Sequence, residues 1–236
     1  MKKFLLCLLG IHTLIFAHED LIPHFEELFK QTRVKTLIEF GMGPLTADFL
    51  DSCNKVISIE FVTPGYGPGN YLTQLEHYRE AANWIPVVYF SAFSGDTNFA
   101  PYKYLGSESV YRAASYQCAT HKDYSLIDPF YLTELSAFVG NFVRFHRIDV
   151  AFVNSFGIYN RGDLVQVLFE KVPIIVAYDT NVRKDENDLY GYSRLKTPEN
   201  YEEIYIPTGR GTTLWIDKKE KFQQLIQNIK DYAQTF

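Results

Sequence analysis

Five short apolar runs, most of them followed by a helix-like stretch, constrain this chain more than any other feature. They are Thr36–Phe40 (TLIEF), Val56–Phe61 (VISIEF), Pro86–Phe90 (PVVYF), Asp149–Val153 (DVAFV) and Pro173–Ala177 (PIIVA). Short runs rich in Val, Ile and Phe without polar alternation read as strands buried on both faces. Helical patterns lie between them at Leu45–Ser52, Tyr71–Asn83, Asp128–Phe145 and Arg161–Lys171, after a first amphipathic stretch at His18–Gln31. Strands alternating with helices imply an α/β, Rossmann-like doubly wound sheet, mostly parallel. The alternation then breaks. Glu202–Ile206 and Thr212–Ile216 flank Pro207–Gly211 and read as an antiparallel C-terminal strand pair, closed by a helix at Lys218–Ala233. A purely parallel sheet would place a helix where that second strand stands.

The 236 residues suffice for one sizeable core. Lys plus Arg number 23 against 28 for Asp plus Glu, a net charge of −5, which speaks against nucleic-acid binding by bulk charge. Three cysteines exclude a dense disulfide scaffold and speak against a Cys-rich zinc site. Met1–Ala17 (MKKFLLCLLGIHTLIFA) has a basic start, an apolar run too short for a comfortable membrane span, and a small residue at its end. This is the layout of a signal peptide, and its cleavage would give a secreted or periplasmic protein with no stable membrane span. The alternative is an uncleaved N-terminal hydrophobic helix on a cytoplasmic or membrane-associated protein. Residues 18–236 then form one α/β domain with a Tyr-rich excursion at about 91–127. Cys53 and Cys118 remain as one candidate disulfide or, on the simpler reading, two reduced buried thiols.

The first strand leads into Glu39-Phe40-Gly41-Met42-Gly43-Pro44-Leu45-Thr46. In open α/β sheets ligands bind beyond the carboxyl ends of the strands. Two closely spaced glycines let the backbone approach a ligand with no Cβ in the way. Glu60, near the end of the second strand, is placed to accept hydrogen bonds from both hydroxyls of a ribose. An adenosine-containing ligand fits these features. A dinucleotide fits them less well: Thr46 stands where GxGxxG needs its third Gly, and Pro44 removes a backbone donor that a pyrophosphate would use. Glu39 is placed to hold a cationic ligand group. The pattern Glu-x-Gly-x-Gly-x-x-Thr, with an acid closing the next strand, resembles the class I S-adenosylmethionine-dependent methyltransferases. Asp149–Asn181 resembles the fourth strand, helix and fifth strand of their small-molecule O-methyltransferase-like branch. The likeness covers roughly residues 33–216 and leaves the Tyr-rich stretch unmatched.

The resemblance implies S-adenosylmethionine as cofactor, with Glu39, Phe40, Gly41, Gly43, Thr46 and Glu60 around it and Asp96 reaching the adenine amine, unless Asp96 only forms a turn. It implies catalytic roles for Asp179 and Asn154, with Arg161 and Tyr178 facing the substrate. Asn154 departs from the family's frequent Asp and cannot serve as a general base near neutral pH. Mg²⁺, held in metal-dependent relatives by that acid and an Asp-Asn pair, is an option that Asn154 weakens. Asp179 is the best-placed carboxylate, or a cap. Arg161 binds an anionic substrate, or makes an ion pair. Tyr178 stands where a His is frequent. The six His show no metal-ligand spacing, and no hydrolase elbow is visible. The Tyr residues from Tyr102 to Tyr131 form a lid or aromatic pocket, or pack with their hydroxyls in water.

Three functions follow: methyl transfer to a small molecule, an exported non-catalytic binding protein on the same fold, and an NAD-dependent oxidoreductase. An exported enzyme would lack its intracellular methyl donor, which favours the second; the intact Gly41, Gly43 and Glu60 favour the first. The methyl acceptor and the oligomeric state are not specified by the sequence.

Overall fold

The computed structural model describes residues 21–62, 78, 80–90, 140, 143, 146–154, 161–181, 188 and 190–236; the side chains of 60–62 and 87–90 lie outside that description. Its elements are α1 (Ile22–Gln31), β1 (Thr36–Phe40), α2 (Leu45–Ser52), β2 (Lys55–Val62), β3 (Trp84–Phe90), β4 (Val150–Val153), α3 (Arg161–Leu168), β5 (Ile174–Tyr178), β6 (Tyr201–Ile206), β7 (Thr212–Asp217) and α4 (Gln223–Ala233). The strands make one seven-stranded sheet in the order β3-β2-β1-β4-β5-β7-β6. β1 to β5 pair in parallel, and β7 runs antiparallel to both β5 and β6. The break in alternation read from the sequence is therefore β6–β7, with β7 inserted between β5 and the edge.

The pleat divides the core in two. On one face Leu37, Val56, Phe152, Val176 and Leu214 pack under α1, α2 and α4 through Phe25, Phe49 and Ile226. Phe25, Phe49 and Phe152 meet edge to face, with centroids 4.8–5.4 Å apart. On the other face Ile38, Ile57, Ala151, Ile175 and Trp215 pack under α3 through Leu164 and Leu168. β1, β4 and β5 are buried at every position, as strands covered on both sides must be.

Two boundaries differ from the sequence reading for identifiable reasons. The helix expected to run to Asn83 has ended by Glu80, and β3 starts at Trp84, ahead of Pro86. Asn83 Nδ2 donates to the carbonyls of Leu50 and Cys53, tying this junction to the end of α2. Pro86 is tolerated inside β3 because β3 lies at the edge of the sheet among the described residues. The closing helix begins at Gln223 rather than Lys218, after a 3-10 turn at Glu220–Phe222. Cys53 is a free buried thiol, pushed up to about 12 by burial and by Asp149; Cys118 lies outside the described residues. No helix among the described residues is long and apolar enough to cross a membrane.

Candidate functional site

The chain builds β2 and β3 on one side of β1 and β4 onward on the other, so the sheet's switch point lies between β1 and β4. Crevices form there at the carboxyl ends of strands. On the β1 side, Gly41 takes φ 98°, a left-handed conformation that glycine adopts freely, and its N–H still reaches Ile59 O at 2.8 Å. The next residues curl into α2. The Gly43 N–H donates to Thr46 Oγ1 at 3.1 Å, and Thr46 Oγ1 donates to Glu39 Oε1 at 2.9 Å. Ser58 Oγ also donates to Glu39 Oε1, and Trp84 Nε1 donates to Ser58 Oγ at 2.6 Å. A relay thus crosses β3, β2, β1 and α2 and converges on one carboxylate that is 1% exposed. It works because residues 39, 58 and 84 lie on the same face of adjacent strands.

Across the switch point, the Asn154 N–H donates to Phe40 O at 3.1 Å, and a Cβ added to Gly43 would lie 3.8 Å from Asn154 Nδ2. One strand further, Asp179 follows β5 at φ 62°, a left-handed conformation that Asp tolerates better than most residues. Arg161 Nη1, from the start of α3, lies 2.9 Å from its Oδ2. Arg210 Nε, from the β6–β7 connection, lies 2.7 Å from its Oδ1. That second contact joins the charges without the alignment of a hydrogen bond. The Arg161 guanidinium lies over the Tyr190 ring at 4.0 Å. Tyr192, fully buried beside them, donates its hydroxyl to Tyr178 O at 3.1 Å, and burial pushes its phenol well above the ordinary tyrosine range. Asp163 pairs with Arg194 at 3.5 Å, and burial raises its carboxyl above the usual value.

The sheet order with a reversed β7 now decides the architecture. The fold is class I methyltransferase-like. No family model and no curated protein matches the sequence. Among solved structures, a methyltransferase from Geobacter sulfurreducens is 12% identical, covering 80% of this chain and 75% of its own, with a TM-score of 0.40. A protein assigned as a caffeoyl-CoA O-methyltransferase from Staphylococcus aureus is 12% identical, covering 84% and 81%, with a TM-score of 0.47. The SAH-bound methyltransferase PaMTH1 from Podospora anserina is 12% identical, covering 81% and 76%, with a TM-score of 0.41.

Within this methyltransferase-like fold, Glu39, Gly41, Gly43 and Thr46 come together with Asn154 across the switch point. Phe40 and Tyr178 are buried in the two opposite cores, so their side chains serve packing here and their carbonyls accept from Asn154 and Tyr192. Glu60 pairs with Val88 in the sheet; its side chain, Asp96 and the Tyr-rich stretch lie outside the described residues. Arg161 is a buried ion-pair partner of Asp179. Mg²⁺ does not fit the Asp179 position, because guanidinium groups already face both carboxylate oxygens, and no cluster of three or more His, Cys, Asp or Glu exists among the described residues. Ser58, Trp84, Tyr190 and Arg210 were not singled out from the sequence. Ser58 carried a usable signal, a small polar residue between two isoleucines in a buried strand. Arg210 carried none, since its loop meets β5 only once β7 is inserted.

Proposed function

We propose that this chain transfers a methyl group from S-adenosylmethionine to a small-molecule acceptor. The observation that carries this reading is the chemistry of the β1–α2 turn. A dinucleotide needs free backbone donors at that helix start to hold its phosphates. Here the Gly43 N–H is spent on Thr46, Pro44 has none to give, and the carboxylate of Glu39 lies beneath. The turn is therefore ill suited to a pyrophosphate and well suited to a nucleoside whose far end is cationic. That chemistry disfavours a nicotinamide cofactor.

Gly41 and Gly43 offer a close backbone approach, and Glu60 and Asp96 are assigned to the ribose and the adenine. When bound, the cofactor supplies a methyl group on a sulfonium, open to in-line displacement. Asn154, with both a donor and an acceptor beside Gly43, is assigned to orient the acceptor. Asp179, flanked by two guanidiniums, is better suited to holding those groups in place than to taking a proton. The segment 1–17 is retained as a leader, and N-terminal sequencing of the native protein tests its cleavage.

Calorimetric titration of the full chain tests the cofactor. S-adenosylmethionine and S-adenosylhomocysteine are expected to bind and NAD is not. Glu60→Ala should weaken binding about tenfold or more, the scale of losing hydrogen bonds to a charged acceptor. An absence of heat with S-adenosylmethionine would sink the reading.

A further inference from the structure

Arg210 is held at its backbone and open at its tip. The β6–β7 connection is clamped to the end of β5: the Thr180 N–H donates to Gly211 O at 3.1 Å, the Asn181 N–H to Arg210 O at 3.2 Å, and Asn181 Nδ2 to Gly209 O at 3.1 Å. Gly211 sits at φ 78°, and a Cβ there would fall 2.3 Å from Asn181 Oδ1, so the clamp requires glycine. The Arg210 side chain nevertheless remains 56% exposed, while Asp179 and Arg161 beneath it are 4% and 10% exposed at their side chains.

Two positive groups share one carboxylate. The neighbouring Asp163–Arg194 pair is balanced in itself. Arg161 Nε is moreover a buried donor with no acceptor among the described residues. Arg210 turns its Nε toward Asp179, which leaves the Nη1 and Nη2 edge of the guanidinium, the edge that grips two coplanar oxygens side by side. On that edge Nη2 donates one long, exposed hydrogen bond, 3.4 Å, to the Tyr190 hydroxyl, which an anion would replace. Asp179 follows β5, two strands from β1 in the sheet, a lateral separation of about 10 Å from the cofactor turn. That span suits a small molecule with its nucleophile at one end and a charged group at the other.

We propose that Arg210, backed by Arg161 and oriented by Asp179, is an oxyanion grip that binds a carboxylate or phosphate on the methyl acceptor. Arg161 supplies buried positive charge and Arg210 makes the contact. This deepens the methyl-transfer reading and rests on it only for the identity of the molecule carrying the anion.

The test titrates the full-length protein, at fixed ionic strength, with benzoate and separately with inorganic phosphate, following the arginine Nε–H resonances by NMR. Saturable binding of at least one probe is expected, and the probe that binds more tightly names the anion class. Arg210→Gln should weaken it about tenfold or more, and Arg210→Lys, which keeps the charge and loses the fork, should also weaken it measurably. S-adenosylmethionine affinity, measured on the same samples, should be unchanged in both variants. Lack of saturation with both probes, or equal binding by the wild type and Arg210→Gln, overturns the grip. Saturable, Arg210-dependent anion binding in a protein that does not bind S-adenosylmethionine supports the grip and overturns the methyl-transfer reading alone.

Discussion

Two carboxylates, one in β1 and one just after β5, are both buried: Glu39 at 1% and Asp179 at 3% exposure. Their partners differ in kind. Two hydroxyls donate to Glu39, one of them ordered by an indole N–H, and all come from strands and a helix packed as rigid neighbours. Asp179 faces two guanidiniums, one buried and one mostly in solvent, brought from a helix start and a loop. A carboxylate that accepts from neutral donors on rigid elements fixes shape. One compensated by charge, with a half-solvated guanidinium oriented on it, leaves the outer edge of that guanidinium to meet a ligand. The first arrangement belongs to the turn proposed to take the cofactor and the second to the place proposed for the acceptor's anion.

Replacing each carboxylate by its amide should separate the two most strongly. Asp179→Asn leaves Arg161 buried without its counter-charge, and a loss of about 3 kcal/mol or more is expected by urea unfolding. Glu39→Gln keeps a carbonyl for the hydroxyls, so about 1 kcal/mol is expected. Equal losses would break the distinction between shape and charge.

Acid should act on the Asp179 arrangement. His24 on α1 is buried, with Nδ1 2.8 Å from the Tyr232 hydroxyl and Nε2 2.8 Å from Thr208 Oγ1, and Thr208 lies in the connection that carries Arg210. Burial lowers its pKa from 6.5 to about 4. The unfolded chain then binds the proton more readily, so the contribution of neutral His24 is intact above about pH 6.5 and is lost as pH falls toward 4. The difference between wild type and His24→Gln in urea should shrink over that window by up to about 3 kcal/mol. A pH-independent difference would detach His24 from the connection's stability.

The smallest expected effect is Arg210→Ala on stability, within about 1 kcal/mol because the side chain is largely solvated, and smaller still in high salt. A larger thermal or urea shift would make Arg210 a structural member of the pair rather than a solvent-facing group.

Much of the Glu39 arrangement was legible in the sequence because its parts are close along the chain or follow strand period. Glu39, Gly43 and Thr46 belong to a single turn, and Ser58 lies opposite Glu39 in the β1–β2 register. Little of the Asp179 arrangement was legible. Asp179 and Arg161 were visible as individual residues, but nothing local pairs them, and Arg210 is separated from both by the 182–200 segment and β6.

The sequence by itself determined the sheet class, the β1–α2 turn and the antiparallel ending, because buried strands, glycine turns and Pro at a helix start are read from local periodicity and backbone sterics. The tertiary structure alone decided which charges meet. Inserting β7 between β5 and β6 swings the Arg210 loop onto Asp179, and the partners of a buried charge are set by what the fold places within a few ångströms, at any distance along the chain.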